Sequence, residues 1–150
     1  MRADMVTPEV DATRKPNYEI APLILNRWSP RSMTGEPLTD EELFPLFEAV
    51  RWAPSSYNEQ PWRFIVARRQ NADEFATFLD LLVPGNRVWT QRAGALVVVA
   101  SRTRFEHNDR TSVTHAFDTG AAWENLAIEA SRRQLVAHGM QGFDYARAKV

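Results

Sequence analysis

The chain of 150 residues contains no cysteine. Disulfide bonds, thiolate metal ligands and a cysteine nucleophile are therefore excluded, and nothing in the composition points to secretion. The three histidines, His107, His115 and His138, lack the spacing of metal ligands, so we predict no metal site.

The sequence also lacks an excess of charge of either sign and a long hydrophobic run. Eighteen basic residues stand against nineteen acidic ones, for a net charge of −1. This balance gives no electrostatic footprint for nucleic acid or for an anionic membrane surface. The N-terminus carries Asp4, Glu9 and Asp11 with no apolar core, and no apolar segment reaches the length of a membrane span. We therefore expect a cytoplasmic protein without nucleic-acid or membrane partners.

Three common catalytic motifs are absent as well. The sequence has no G-x-S-x-G motif for acyl transfer, no Walker A loop for phosphoryl transfer and no G-x-G-x-x-G motif for dinucleotide binding. With 44% hydrophobic and 11% aromatic residues, the chain can still bury a core, and one domain is the expectation at this length. The first 17 residues are polar and show no apolar period, so we expect an extended or mobile lead-in there and a single domain over residues 18–150.

Apolar residues at helical spacing predict four helices. These begin near Tyr18, after Thr39, after Asn71 and at His115. The last helix is long and carries small residues that permit close approach of another helix, namely Ala116, Gly120 and Ala121.

Two segments between these helices predict strands. Alternating residues predict one strand over 63–67, and a continuous β-branched run over 95–100 predicts a second strand, buried on both faces. The turn residues at 84–86 are expected to end the third helix. The charged segment 102–114 is expected to face water, although its composition also suits a substrate entrance.

Residues 51–65 hold the densest group of polar side chains. Pro54 ends the preceding helix, because the residue before a proline is pushed out of the helical region. Four hydrogen-bonding side chains then precede the strand: Ser55, Ser56, Asn58 and Gln60. Such a loop can bind a planar ligand rich in heteroatoms. The same residues also suit a turn whose side chains satisfy only their own backbone.

A second polar group lies upstream and consists of Arg27, Ser29 and Arg31. Two guanidinium groups and a hydroxyl within five residues can donate charge-assisted hydrogen bonds to a phosphate monoester. Such a group is also common on a solvated surface, so the residues alone leave both interpretations open.

Both groups resemble segments of one known family. The string Ala-Pro-Ser-Ser-Tyr-Asn-Glu-Gln-Pro-Trp-Arg-Phe at 53–64 resembles the A-P-S-S-x-N-x-Q-P-W-x-F signature of the nitroreductase family, which are FMN-dependent flavoproteins. The segment Arg-Trp-Ser-Pro-Arg at 27–31 resembles the family's R-R-S-x-R segment and lies at the usual distance before the signature. Trp28 departs from the basic residue that the family more often has there.

The resemblance implies a role for each matching residue. Arg27, Ser29 and Arg31 would hold the phosphate and ribityl chain of FMN. The flavin would be positioned by the loop residues Pro54, Ser55, Ser56, Asn58 and Gln60. Asn86 matches a family asparagine near the flavin ring, and the ring contacts of segment 138–144 fall on Gly139, Gln141 and Gly142. Without the resemblance, Asn86 equally suits a plain turn, and segment 138–144 suits a glycine turn that ends a helix.

The resemblance also implies a fold, an assembly and an activity. It predicts an α+β nitroreductase-like homodimer with a central, mostly antiparallel sheet surrounded by helices, and with FMN between the subunits. NAD(P)H would give hydride to flavin N5, and an electron-poor acceptor such as a nitroaromatic or a quinone would then be reduced. We assign no catalytic side chain. The alternatives are a flavin-binding module without turnover, or a family variant with dehalogenase or flavin-fragmenting chemistry. Family chains usually continue through another helix and strand, so we expect the domain to be short at its C-terminus.

Overall fold

The computed structural model describes residues 5–149 and shows helices packed around a small sheet. The helices are α1 (Pro8–Thr13), α2 (Pro22–Asn26), α3 (Asp40–Arg51), α4 (Ala72–Asp80), α5 (Pro84–Thr90) and α6 (His115–Arg132). The strands are β1 (Trp62–Arg68) and β2 (Ala95–Ser101), and short 3₁₀ turns lie at Ser56–Asn58 and Arg147–Lys149. The predicted α+β class is confirmed.

Helix α3 forms where the sequence predicted it. The Thr39 backbone N–H donates to the Glu42 carboxylate at 2.9 Å, which satisfies one of the free donors at the helix start. Its apolar face buries Leu43, Leu46 and Val50. The helix ends at Arg51, so it delivers the Pro54 loop, which we define as residues 54–60, to the edge of the sheet.

Helix α6 packs along α3 and forms the other wall of the core. Ala122 and Ala130 are buried almost completely in clusters with Val50, Leu43 and Leu46 of α3, which lets the two helices approach closely. The Asn125 side chain reaches across and donates to Ala49 O at 3.0 Å. Gly120, one of the small residues expected at a helix interface, does not face α3 but is exposed in the single chain, with open space around an added Cβ.

The sheet contains two antiparallel strands within the described residues. The register runs from Trp62 opposite Ser101 to Arg68 opposite Ala95. The strand predictions are therefore confirmed, but β2 is not buried on both faces, because Val97 and Val99 are each 37% exposed. Since β1 is its one neighbouring strand among residues 5–149, β2 has a second edge without a strand partner there, and one of its faces is incompletely covered.

The N-terminal lead-in contains a helix, so the expectation of an extended segment is wrong for residues 8–13. Thr7 caps α1, and Val10 is only 5% exposed. Arg14 then donates to the backbone oxygens of Leu25 and Arg27, at 2.8 and 2.9 Å. These contacts attach the lead-in to Leu25 and to Arg27, the first of the predicted phosphate-binding residues.

The expectation of a turn at 84–86 is also wrong. Helix α4 ends at Asp80, and Pro84 begins α5 rather than ending a helix. A proline suits this position, because the first turn of a helix needs no backbone N–H from it. Asn86 therefore lies on a helix, close to segment 138–144.

None of the helices within residues 5–149 combines the length and apolar character needed to cross a membrane. In the same residues, no three or more histidine and acidic side chains come together as metal ligands.

Candidate functional site

The Pro54 loop has an unusual backbone. Tyr57, Asn58 and Gln60 have φ angles of 55°, 54° and 49°, in the left-handed region that residues with a side chain rarely adopt. Ser55 Oγ accepts the Gln60 backbone N–H at 3.0 Å, and the Gln60 side chain donates to Asn58 Oδ1 at 3.1 Å. The predicted residues are thus brought together, partly to satisfy their own backbone.

Two carboxylates hold this loop in place. Asp118, near the start of α6 and 4% exposed, accepts the Ser56 backbone N–H at 3.0 Å and the Thr114 hydroxyl at 3.1 Å. Within the loop, Glu59 accepts hydrogen bonds from the Arg102 guanidinium and the Glu106 backbone N–H.

Segment 102–114 is mostly exposed, as expected, but Arg102 is half-buried and Ser112 is fully buried. Its first part forms a short hairpin, which we call the Arg102 hairpin, residues 102–112, and which is attached to the Pro54 loop through Glu59. The Glu106 backbone N–H holds the pKa of the Glu59 carboxyl below its usual value, against the opposing effect of burial, and His107 and Arg102 lower it further. Sequence patterns gave no signal for this contact, since Glu59 and Arg102 belong to no shared period or motif.

Among the predicted phosphate-binding residues 27–31, the Arg27 guanidinium makes two polar contacts within the chain. Arg27 Nη1 donates to Ser29 Oγ at 3.3 Å, and Arg27 Nε lies 3.1 Å from the Glu124 carboxylate on α6. Arg31 is exposed. Arg27 is thus oriented by a carboxylate that also neutralises part of its charge, while Arg31 keeps its guanidinium in solvent.

Asn86 and segment 138–144, which we call the Gly142 segment, meet directly. Asn86 Nδ2 donates to Gly142 O at 3.1 Å, and the Val83 backbone N–H donates to the same oxygen at 3.0 Å. A Cβ on Gly142 would lie 2.6 Å from Asn86 Nδ2, so this position accepts only glycine without rearrangement. Gly139 lies close against the Trp123 ring, and the Gln141 side chain is exposed.

His138 links the Gly142 segment to residues 27–31, which contain the predicted phosphate-binding side chains. Its Nδ1 lies 3.1 Å from Pro30 O, which can only accept, so Nδ1 carries the proton of this bond. The imidazole also packs on Trp89, with ring centroids 4.6 Å apart. Residues 27–31, Asn86 and the Gly142 segment therefore form one neighbourhood.

A cavity of about 900 Å³ borders this neighbourhood. Its walls include Trp89 of α5, Trp123 of α6 and Gly139 of the Gly142 segment. Thr119 also lines it, and the buried Thr119 hydroxyl has no hydrogen-bond partner among the described residues. Two indole rings and an unused hydroxyl suit a planar, partly polar ligand.

The Pro54 loop and the predicted phosphate-binding residues 27–31 are separate groups within the described part of the chain. Among residues 5–149, no hydrogen bond or ion pair joins the Pro54 loop to residues 27–31. The Pro54 loop is hydrogen-bonded to Asp118, near the start of α6. Arg27 instead pairs with Glu124, almost two turns further along that helix.

Comparison with known proteins decides the family. The model of the nitroreductase family matches residues 24–150. The chain belongs to the nitroreductase family. Among family relatives, a "Putative NADH dehydrogenase/NAD(P)H nitroreductase" of Rhodopseudomonas palustris is 30% identical over 90 residues, which cover 60% of this chain and 45% of the relative. An uncharacterized 15.4 kDa protein of Mycolicibacterium smegmatis is 42% identical over 92 residues, covering 57% of this chain and 60% of that protein. The chain thus spans less than two thirds of each of these relatives.

Solved structures agree with this family assignment. An oxidoreductase containing FMN is 41% identical and superposes with a TM-score of 0.84 over 89% of this chain and 69% of its own. A nitroreductase-type protein from Desulfovibrio desulfuricans, solved in complex with FMN, is 26% identical with a TM-score of 0.63, over 77% of this chain and 64% of its own. The nitroreductase-like fold expected from the sequence is therefore confirmed.

Proposed function

We propose that this nitroreductase-family chain binds FMN and acts as an NAD(P)H-dependent oxidoreductase on an electron-poor acceptor such as a nitroaromatic or a quinone. The observation that carries the proposal is the likeness to the FMN-containing oxidoreductase, at 41% identity over 89% of this chain. The name of the Rhodopseudomonas palustris relative supports NAD(P)H as the reductant.

The donor set of the site fits FMN. Arg27, Arg31 and Ser29 offer two guanidinium groups and a hydroxyl for the phosphate and ribityl chain. Trp89 and Trp123 offer apolar surface for a flat ring, and the unpartnered Thr119 hydroxyl offers one hydrogen bond beside them.

The chain's own residues orient the cofactor rather than move protons. When bound, FMN supplies hydride acceptance from NAD(P)H and reduction of the second substrate. Ser55, Ser56, Asn58 and Gln60 offer donors and acceptors to the ring system from the Pro54 loop, and Pro54 fixes where that loop begins. Asn86, Gly139, Gln141 and Gly142 would also contact the ring. We assign no general acid or base to this chain.

The proposal includes a homodimer with FMN at the subunit interface. Because the Pro54 loop and residues 27–31 do not meet within a chain, a second copy is the simplest source of the missing half of each site. The start of α6 supports this assembly, since Val113 and Phe117 are 87% and 80% exposed there. Gly120 leaves open space beside them for a second helix. A cytoplasmic location stays a prediction from the sequence.

The visible absorption spectrum of the purified protein tests the cofactor. After incubation with FMN and desalting, we expect a flavin band at about 450 nm, corresponding to roughly one FMN per chain. A colourless protein that cannot be loaded would refute FMN binding by this chain.

Turnover needs a second assay. NADH and NADPH oxidation by the loaded protein, with nitroaromatic and quinone acceptors, should exceed that of free FMN at the same concentration. Stoichiometric FMN without such oxidation would favour the alternative of a binding module without turnover, which the short coverage of the relatives keeps open. Turnover restricted to iodinated aromatics, or loss of the flavin itself, would favour the dehalogenase or flavin-fragmenting alternative.

A further inference from the structure

Glu59 lies in the middle of the strained part of the Pro54 loop. Its neighbours on both sides, Asn58 and Gln60, have left-handed backbones, as does Tyr57. Such conformations persist when surrounding contacts fix them. The contacts of Glu59 are therefore candidates for the restraint that keeps the loop in this shape.

The Glu59 side chain is only 7% exposed, and its hydrogen bonds come from the Arg102 hairpin. Arg102 and the Glu106 backbone N–H both donate to Oε1, and His107 Nδ1 lies 3.4 Å from Oε2. Arg102 in turn pairs with the Glu106 carboxylate at 3.0 Å. A nearly buried carboxylate with a charged partner and a backbone donor is held more firmly than an exposed ion pair.

Aromatic packing strengthens the same junction. The Tyr57 ring meets Phe105 edge to face, with centroids 5.6 Å apart, and lies 5.9 Å from the His107 ring. The backbone adds a further bond, since the Arg102 N–H donates to Pro61 O at 2.9 Å. The Arg102 hairpin and the Pro54 loop are thus one packed unit.

We propose that Glu59 is a positioning residue, which, through Arg102 and the Glu106 backbone N–H, holds the Pro54 loop in the shape that binds FMN. This inference rests on the proposed FMN site, but it concerns residues outside the predicted cofactor contacts. Its consequence is that the Arg102 hairpin, which does not itself supply those contacts, controls cofactor affinity.

A double-mutant cycle on Glu59 and Arg102 tests the inference. The FMN dissociation constant is measured by flavin fluorescence for the parent, Glu59→Ala, Arg102→Ala and the double variant, each shown to be folded by circular dichroism. We expect each single variant to weaken FMN binding by about tenfold or more, and the double variant to be little weaker than either single one. Glu59→Gln, whose amide oxygen can still accept from Glu106, should recover part of the loss.

Arg104→Ala is the matched control, because Arg104 lies in the same hairpin but pairs with the exposed Asp109 at 3.3 Å. We expect its FMN affinity to equal that of the parent. Hydrogen exchange without FMN gives an independent measure: the amides of residues 55–60 should exchange faster in Glu59→Ala than in the parent and in Arg104→Ala.

The outcomes separate this inference from the proposed function. A parent that binds FMN, with unchanged affinity in Glu59→Ala and Arg102→Ala, overturns the positioning role alone. Additive losses in the double variant would also overturn it, because they would show that the two residues act separately. A parent that binds no FMN overturns the proposed function and this inference together, even if hydrogen exchange shows that Glu59 restrains the loop.

Discussion

The Asn86 side-chain amide donates to the backbone oxygen of Gly142 at 3.1 Å, and this bond joins helix α5 to a segment 56 residues further along the chain. The Val83 backbone N–H donates to the same oxygen. Family resemblance assigned these two positions separately to the flavin ring, and they are neighbours in the folded chain. The side chain at each position therefore limits which residues fit at the other.

Gly142→Ala is expected to destabilise the fold. The added Cβ would lie 2.6 Å from Asn86 Nδ2 and 2.9 Å from Val83 Cγ2, so both side chains would have to turn away, and Asn86 would lose its hydrogen bond to Gly142 O. Overpacking of this kind costs roughly 1–3 kcal/mol in the free energy of unfolding. Equilibrium denaturation in urea, followed by circular dichroism, measures the change.

Gly85→Ala provides the control for that prediction. Gly85 also lies beside Asn86, but no atom lies within 4 Å of an added Cβ there, and its backbone is helical. Alanine at this position should leave stability unchanged or raise it by up to about 1 kcal/mol. A Gly142→Ala variant as stable as the parent would mean that the close approach of Asn86 is not a real constraint.

The double variant Arg27→Ala with Arg31→Ala should lose its preference for FMN over riboflavin. Riboflavin lacks the phosphate, so its affinity should barely change, whereas FMN affinity should fall by about tenfold or more. Fluorescence titration with both flavins measures the two dissociation constants. Stability should fall little, because Arg31 is exposed and Arg27 pairs with a half-exposed Glu124.

Arg51→Ala with Arg104→Ala removes the same net charge elsewhere on the surface. Arg51 pairs with Glu48 at 2.9 Å and Arg104 pairs with Asp109 at 3.3 Å, and all four side chains are more than half exposed. This control should bind FMN and riboflavin as the parent does. Equal losses in the two double variants would show that overall charge, and not a phosphate site at residues 27–31, sets the affinity.

The sequence predicted the elements whose signals are local. Helix α3 follows from a capping residue and an apolar period, and β1 and β2 follow from runs of strand-forming residues. The exposure of Val97 and Val99 could not be predicted, because it depends on how many strands and helices cover β2. The apolar character of a run of residues can be read from the sequence, but the helices and strands that will pack against it cannot.

The candidate site likewise combines residues that the sequence pointed to with contacts that only the fold reveals. Motif resemblance identified Asn86 and the Gly142 segment, and the structure brings them together. The contact between Glu59 and Arg102 joins residues 43 apart that share no period, so only the fold reveals it. The role of Pro84 could not be predicted from the sequence, because proline suits both the end of one helix and the first turn of the next.

The Asp80 carboxylate should make stability depend on pH in acid. Arg147 pairs with it at 2.7 Å and, with Arg87, holds the pKa of the Asp80 carboxyl below its usual value. The pairing therefore stabilises the fold above the unfolded-state pKa of about 3.9, and this stabilisation is lost as the pH falls through the lower folded-state pKa. Asp80→Asn should be less stable than the parent at pH 7, and the difference should vanish below that range.

Urea denaturation of both proteins across this pH range measures the difference. Asp109→Asn is the control, because Asp109 is also a surface aspartate paired with an arginine, but its side chain is 84% exposed, against 54% for Asp80. Its stability should follow that of the parent at every pH. A constant deficit for Asp80→Asn down to the most acidic condition would contradict the role of the charge.

Phe117→Glu is expected to convert the proposed dimer into monomers. The Phe117 side chain is 80% exposed near the start of α6, beside the open space at Gly120, and a buried glutamate without a partner would disfavour a second copy there. Light scattering coupled to size-exclusion chromatography measures the mass. Val88→Glu, an equally apolar and 69% exposed position on α5, should leave the mass unchanged.

The same variants connect assembly with the cofactor. If the Pro54 loop of one copy and residues 27–31 of the other complete each site, Phe117→Glu should lose FMN affinity together with the dimer, whereas Val88→Glu should keep both. Monomers of Phe117→Glu that bind FMN as tightly as the parent would show that one chain holds the whole site. A parent that is monomeric and still retains FMN after desalting would lead to the same conclusion, and the shared site would then have to be abandoned.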